Sequence, residues 1–419
     1  MFFESGIKRM SDGGCLGVEV EHHVLADDGS AISYEPAGDR VGVRNVLDHL
    51  ASWYPRRSYN ASHDLLGLEG DEGSVTLEPA AQLELSAAPY ARIADVEQAY
   101  TNFCNHVSDF LAPRNAHLEA LGYNPHHVAQ ELKLIPKKRY ELMDAYFDHI
   151  GSHGDRMMRA SASTQVSIDF YSEADAIRKM RMAAALAPIL AAITDNTPIF
   201  EALPNHTPIR RLQLWREVDP LRCGTIPGLF DEGYGFATYA EWLLRTPPIF
   251  ILRKMVDSDA WTALPFFAES ASEAYGATSL SVHDMEHLIS MFWPDVRLKH
   301  FVEVRPADSM PTEQILGYTA LIKGIFYSDA SLTAIEEELG VTPLAADSRA
   351  AWPLDTNDVE DAIQQVQSRG FEGLAYGKTL QDWESMLFSL AHAALPADER
   401  HYLDALESFA KNKPWWHIG

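Results

Sequence analysis

An α+β fold is predicted by three features of this 419-residue sequence: segments that alternate apolar and polar residues, long runs with helical spacing, and the irregular order in which the two are mixed. Strand-like segments cluster in the first 90 residues and recur near 164 and 296. Helical stretches lie between them without strict β-α-β alternation.

Taken in order, GVEVEHHVL (17–25) reads as a strand with Glu19 and Glu21 on one face and Val18 and Val20 on the other. Ser74–Leu77 and Gln82–Leu85 are further strand segments around a Pro79 break, and the pattern turns helical from Ile93 to Leu111. PKKRYELMDAYF (136–147) opens with proline at a first helical turn. TQVSIDF (164–170) alternates again as a strand. It runs into YSEADAIRKMRMAAALAPILAAI, where Ser172 and Asp175 have capping-box spacing ahead of a long buried helix. VRLKHFVEVR (296–305) is read as one more strand. Beyond about residue 340 the chain is mostly helical, with breaks near Pro353, Gly370 and Pro396. Residues 1–340 are therefore read as the main domain and 341–419 as a helical region packed on it.

With 46% hydrophobic and 22% charged residues the chain can bury a large core. A formal charge of −26 argues against nucleic acid and anionic membranes as partners, because both need a basic surface. The amino terminus has no secretory pattern. The longest apolar stretch, Met182–Ile193, contains Pro188 and falls short of the roughly 20 residues a bilayer needs. Cys15, Cys104 and Cys223 form no CxxC pair, which fits a cytoplasmic protein without a zinc site, and Cys223 is read as a buried small hydrophobe. Phosphate-loop, nucleophile-elbow and HExxH motifs are absent. HDMEH (283–287) has two histidines four apart, which on a helix could hold a metal, but an exposed pair is the commoner outcome without supporting ligands.

The polar faces of the strand segments share a composition. Glu19 and Glu21, Glu78 beside Gln82 and Glu84, Gln165 with Ser167 and Asp169, and Glu303 with Arg305 followed by Asp308 all sit in otherwise apolar runs. One reading is the solvated face of an antiparallel sheet. A solvated face usually mixes Lys, Thr and Ser, however, whereas this one offers mainly carboxylates. Two or more Mg²⁺ ions require such a surface, since Mg²⁺ takes hard oxygen ligands together with substrate phosphates. That points to phosphoryl chemistry.

The ordered motifs FFESG (2–6), VEVE (18–21), LEPAAQLELSAAP (77–89), PKKRYELM (136–143), QVSIDF (165–170), SEADAIRKMR (172–181), RRLQLWREVDPLRCG (210–224), DEGYGF (231–236) and WPDVRLKHFVEVRPAD (293–308) resemble the glutamate–cysteine ligase family of plant and proteobacterial type. The resemblance implies a glutamine synthetase-like curved, mainly antiparallel sheet. It also implies an enzyme that uses ATP and two or three Mg²⁺ ions to phosphorylate the γ-carboxylate of L-glutamate, which L-cysteine then attacks to give γ-glutamylcysteine for glutathione biosynthesis. Carried over by position, Glu21, Glu78 and Glu84 resemble the ligands of one metal, and Glu19, Gln165 and Glu303 those nearer the ATP phosphates. Arg211 and Arg222 stand where the family has substrate arginines, with Arg297 and Arg305 as second choices, although each also fits a structural ion pair. Trp215 and Tyr234 are candidates to flank a ligand, and Lys137 and Lys138 are read as surface charges.

The chain departs from the family pattern at Ala80 and Ala81, where the family has glycines, at ASAS (160–163) following Arg159, at Ser167, and at LRCG, which sets Cys223 beside Arg222. These changes leave open a relative that joins glutamate to a different amine. A binding protein that keeps the fold is the reading from another class, and the chain is expected to be a monomer or homodimer. Roles for Asp169, Asp308, His22 and His23 stay open.

Overall fold

Among the described residues, strand β1 (Leu16–Ala26), with two glutamates on one face, is the centre of a nine-stranded sheet. The others are β2 (Arg56–Tyr59), β3 (Leu65–Gly70), β4 (Gly73–Leu77), β5 (Leu83–Ala87), β6 (Ala116–Glu119), β7 (Thr164–Ile168), and two short strands, Val296–Leu298 and Val302–Val304. The computed structural model describes residues 2–10, 13–254, 261–265, 269–276, 280–342 and 350–416; the side chains of 253, 254 and 261–264 are not among those described. Sheet order is Val296–Leu298, Val302–Val304, β7, β1, β5, β4, β3, β2, with β6 beside the far end of β1. All these pairings are antiparallel.

The register brings the polar positions together. Glu19 lies opposite Gln165 on β7 and Ser86 on β5, Glu21 opposite Glu84, and Glu303 opposite both Ser167 and Arg297. Val18, Val20, Leu83, Leu85, Val166 and Ile168 occupy the other face, where each is buried. Fully burying one such aliphatic side chain stabilises the fold by about 1.5–3 kcal/mol, so a one-residue slip of β1 is strongly disfavoured.

Helices cover the apolar face and close the site. They are α1 (Val43–Leu50), α2 (Ile93–Leu111), α3 (Lys138–Ile150), α4 (Gly154–Ala160), α5 (Glu173–Thr194), α6 (Arg210–Arg216) and α7 (Phe236–Arg245). Then come α8 (Ala271–Tyr275), α9 (Val282–Ile289), α10 (Thr312–Phe326), α11 (Asp329–Glu338), α12 (Thr356–Arg369), α13 (Leu380–Ala394) and α14 (Leu403–Ala410). Helix α5 is buried from Ala176 to its end except at Arg178, between the sheet and the later helices: α12, α13 and α14 pack on it, and α10 packs on both α13 and α14. Its start is capped as the spacing predicts, with Ser172 Oγ accepting from Asp175 N at 3.0 Å. Among the described residues no helix is long and apolar enough to cross a membrane.

Three expectations change. The segment 296–305 is a hairpin rather than one strand, reversing at 299–301 where Lys299 N donates to Phe301 O (2.9 Å). Alternation continues through the reversal and no Gly, Pro or Asn marks it. Pro136 precedes α3 instead of opening it; Lys137 is the N-cap and Gly151, at φ 67°, ends the helix. The strand at 164 stops at Ile168, two residues early.

The β4–β5 turn carries local strain. Glu78 N donates to Gln82 O (2.9 Å) and Ala81 N to Glu78 O (3.0 Å), with Ala81 at φ 68°, in the left-handed region that favours glycine. Ala81→Gly is therefore expected to stabilise the protein by about 0.5–1 kcal/mol, read as a small rise in melting temperature, because the relieved strain exceeds glycine's added chain entropy.

Candidate active site

The polar face of the sheet, with α3, α4 and α6, encloses a cavity of about 290 Å³. Its acidic side is formed by Glu19, Glu21, Glu78 and Glu84, joined by Gln165. The stretch at 160–163 has a clear structural task here: Ser163 N and Oγ donate to the two oxygens of Glu21 (2.9 and 2.8 Å). Glu84 accepts from Thr76 Oγ1 (2.5 Å) and Ser86 Oγ (3.2 Å). Glu19 and Glu78 bring their carboxylates to the same cavity from β1 and the strained turn.

Four carboxylates in one partly dry space hold protons tightly. Burial and then Glu303 push Glu19 up to about 7; burial and Glu84 do the same to Glu21, and burial and Glu21 to Glu78. Glu84 rises through burial and Glu78. Among the described residues no three His, Cys, Asp or Glu side chains close on a common point as a full protein cage would. Mg²⁺ does not require such a cage, since it is typically held by one or two carboxylates with water and substrate phosphates. A pH dependence follows. Without divalent cations the folded protein retains protons that the unfolded chain, with glutamates near 4.3, has released. Thermal stability in EDTA is therefore expected to fall as pH rises from about 4.5 to 7, by at most about 1.4 kcal/mol per pH unit for each retained proton. Added Mg²⁺ should flatten that fall, as checked by melting curves across pH.

The opposite side of the cavity is basic, with Arg139, Arg211, Arg297, Lys299 and Arg305. Three of these cations converge on Glu303. Arg297 Nε reaches its Oε2 at 2.7 Å, Arg305 Nη1 the same oxygen at 2.7 Å, and Lys299 Nζ its Oε1 at 2.8 Å. Arg305 also donates to Gln165 Oε1, while Gln165 Nε2 donates to Glu21 Oε1 (3.2 Å). Glu303, expected near the ATP phosphates, is fully buried with both oxygens engaged as the counter-ion of three cations. Arg139 and Arg211 differ, since among the described residues neither forms an ion pair. Arg139 is steadied by Ser290 at the end of α9, donating to its Oγ at 2.7 Å and to its carbonyl. Arg211 makes long bonds to Arg305 O (3.3 Å) and Ala307 O (3.4 Å), and its buried Nε has no partner among the described residues. Trp215 lies beneath Arg211 and Arg305, whose guanidinium carbons are 5.8 and 5.9 Å from its ring centre.

A model of glutamate-cysteine ligase family 2 matches residues 15–412. The chain belongs to this family. Glutamate–cysteine ligase B, chloroplastic, of Oryza sativa subsp. japonica is 29% identical over 351 residues, covering 80% of this chain and 70% of the relative. The chloroplastic glutamate–cysteine ligase of Arabidopsis thaliana is 31% identical over 295 residues, covering 70% of this chain and 56% of that one. The crystal structure of a glutamate–cysteine ligase from Francisella tularensis in complex with AMP superposes with a TM-score of 0.53 at 11% identity, covering 96% of this chain and 82% of that one. At that identity the likeness speaks for the shared fold. The chloroplastic relatives overturn the cytoplasmic expectation: sparse unpaired cysteines indicate a reducing environment, not which compartment supplies it.

Within this glutamate–cysteine ligase framework two further site residues move. Arg222 is fully buried away from the cavity, donating from Nε to Asp219 Oδ2 (2.8 Å) and from Nη2 to Tyr146 OH (3.2 Å) and the Pro247 carbonyl. Arg222→Met is expected to cost about 3 kcal/mol by stranding Asp219, with KM for glutamate unchanged, checked by denaturant melts and kinetics. Tyr234 is buried near Arg181 and Tyr239 and does not line the cavity. Arg159 turns to Asp144 (2.7 Å), and Cys223 is a buried free thiol.

Sequence reasoning missed Arg139 and Lys299, and it misread Lys137, which is half-buried beside Glu78 while Lys138 is exposed with Glu141. His22 and His23 are buried supports: burial lowers them to about 4 and about 3, and His22 Nε2 meets Tyr100 OH at 2.6 Å. Asp169 and Asp308 hold backbone amides, of Cys15 and Asn196 respectively. HDMEH lies on α9, where His287 Nε2 contacts Phe250 O (3.1 Å).

Proposed function

We propose that this chain couples ATP cleavage to the joining of L-glutamate and L-cysteine. A γ-carboxylate oxygen of glutamate attacks the γ-phosphorus of ATP and ADP leaves. The amine of cysteine then attacks the acyl carbon, the C–O bond to phosphate breaks, and γ-glutamylcysteine and phosphate are released. The observation that carries the reading is the divided cavity: carboxylates without a basic ion-pair partner on one wall, and on the other two arginines, Arg211 buried and Arg139 half-buried, with no acidic partner among the described residues.

In this reading Glu21, Glu78 and Glu84 would draw together on one Mg²⁺ as it binds, and Glu19 with Gln165 would approach a second. Bound Mg²⁺ supplies charge neutralisation for the polyphosphate and its transferring group. Arg211 and Arg139 receive the carboxylates of glutamate, to which a planar guanidinium is suited. Arg297, Lys299 and Arg305, preset by Glu303, face the phosphoryl group and stabilise its charge without reorganising. Trp215 and Trp293, whose rings stack 6.3 Å apart, exclude water from the acyl phosphate. A different amine acceptor gains no support from the LRCG change, because Arg222 and Cys223 lie outside the cavity lining.

Product mass spectrometry tests the proposal, with Mg²⁺, ATP and L-glutamate, cysteine in one reaction and a panel of other amines in the rest, beside a Glu19→Gln control. γ-Glutamylcysteine formed by the wild type and lost in the control is the expected result. A different conjugate would reassign the acceptor, and absence of both ADP and conjugate would overturn the reading.

A further inference from the structure

The last described residues of the chain are joined to the site by polar bonds. Lys413 Nζ donates to Ile193 O (3.2 Å) and Asp195 O (2.8 Å) at the end of α5, above the Phe409 ring at 3.5 Å. Trp416, packed on Phe371 with ring centres 4.8 Å apart, donates its indole N–H to Asp195 Oδ2. That same oxygen accepts Ile209 N (2.9 Å), while Oδ1 accepts Thr197 N (3.2 Å).

Ile209 is the residue where this network does work on the backbone. It stands at φ 49°, ψ 41°, a left-handed conformation strongly disfavoured for a β-branched side chain. It is also the N-cap of α6, and its carbonyl starts the helix by accepting Gln213 N (3.2 Å). Arg211 and Trp215, four residues apart on one face of α6, both line the cavity. Relaxing Ile209 to an extended conformation would turn the first helical turn and carry Arg211 away from the basic wall.

We infer that the carboxy-terminal segment around Lys413 and Trp416 is a positioning element for the site: it locks Asp195, which holds Ile209 in its strained backbone and so aims Arg211 into the cavity. The kinetic part of this inference rests on the proposed function; its structural part does not. Trp416→Phe keeps the ring on Phe371 and removes only the donor, and Lys413→Met is the second variant, removing the cap on the α5 carbonyls.

Two readouts are taken on the full chain. Hydrogen exchange should rise about tenfold in peptides covering 206–216 of both variants, with β1 peptides unchanged. KM for glutamate should rise about tenfold with kcat altered less than about threefold, and that rise should vanish in an Arg211→Met background. Unchanged exchange at 206–216 in both variants overturns the inference, whether or not the protein makes γ-glutamylcysteine. A KM rise that persists without Arg211 also overturns it. A wild type that makes no γ-glutamylcysteine would instead remove the functional reading and leave the exchange result to decide the positioning role.

Discussion

Replacing Arg211 by methionine is expected to lower kcat/KM for glutamate by about 10²–10³-fold, equivalent to about 3–4 kcal/mol of lost transition-state stabilisation, while the melting temperature stays level or rises. The two halves of this prediction have one cause. Arg211 is 3% exposed, forms no ion pair among the described residues, and spends its guanidinium on two long bonds to carbonyls. A cation taken out of water with so little return is a cost to the folded state. Methionine fills similar volume without that cost, so stability does not suffer. The charge repays its burial only when an anion arrives, and in the proposed function the substrate carboxylate is that anion. Steady-state kinetics and thermal melts on the same variant check both halves. A stability loss of several kcal/mol with only a mild kinetic effect would place Arg211 among structural arginines such as Arg222.

The sheet and its acidic wall were legible because strand periodicity survives in a single sequence. Glu19, Glu21, Glu84 and Gln165 recur at spacing two inside apolar runs, and the register then sets them side by side. The strands that went unread carry no such contrast. All four residues of β2, Arg56–Tyr59, are exposed, β6 has four residues, and β3 is a short run interrupted by Gly67. The basic wall was harder to read. Arg139 stands one residue into a helix among charged neighbours, the pattern of a solvated surface, and only its hydrogen bonds to Ser290 reveal that it turns to the cavity. Arg222 was misplaced although a signal was present: Asp219 lies three residues before it, a spacing that suits a local ion pair. Long-range charge balance leaves no such mark. Nothing local in FVEVRPAD says whether Glu303 faces a metal or three cations, because Arg297 and Lys299 reach it only after the chain reverses at 299–301.

Glu303→Gln is accordingly expected to be the most destabilising single change in the site, costing about 3–5 kcal/mol, because it strands Arg297, Lys299 and Arg305 without their common counter-charge. The amide keeps the volume, so the loss is electrostatic and not a cavity. Activity should fall with it, since all three cations line the basic wall and their mutual repulsion would scatter them. The pH dependence separates this from a role as metal ligand. Burial would raise the Glu303 pKa, but Arg297, Lys299 and Arg305 outweigh it and hold the group well below the ordinary carboxylate range. A carboxylate depressed in the folded state contributes its full stability above the unfolded value of about 4.3 and loses it only as pH falls through the folded pKa. The stability gap between wild type and Glu303→Gln should therefore be flat from pH 6 to 8 and unaltered by EDTA, whereas Glu21→Gln should show a gap that changes with both. Denaturant melts of the two variants, with and without Mg²⁺, decide it. A Glu303 gap that opens on adding Mg²⁺ would return that residue to the metal set, and would mean that its three cations are released to the phosphates when the ion binds.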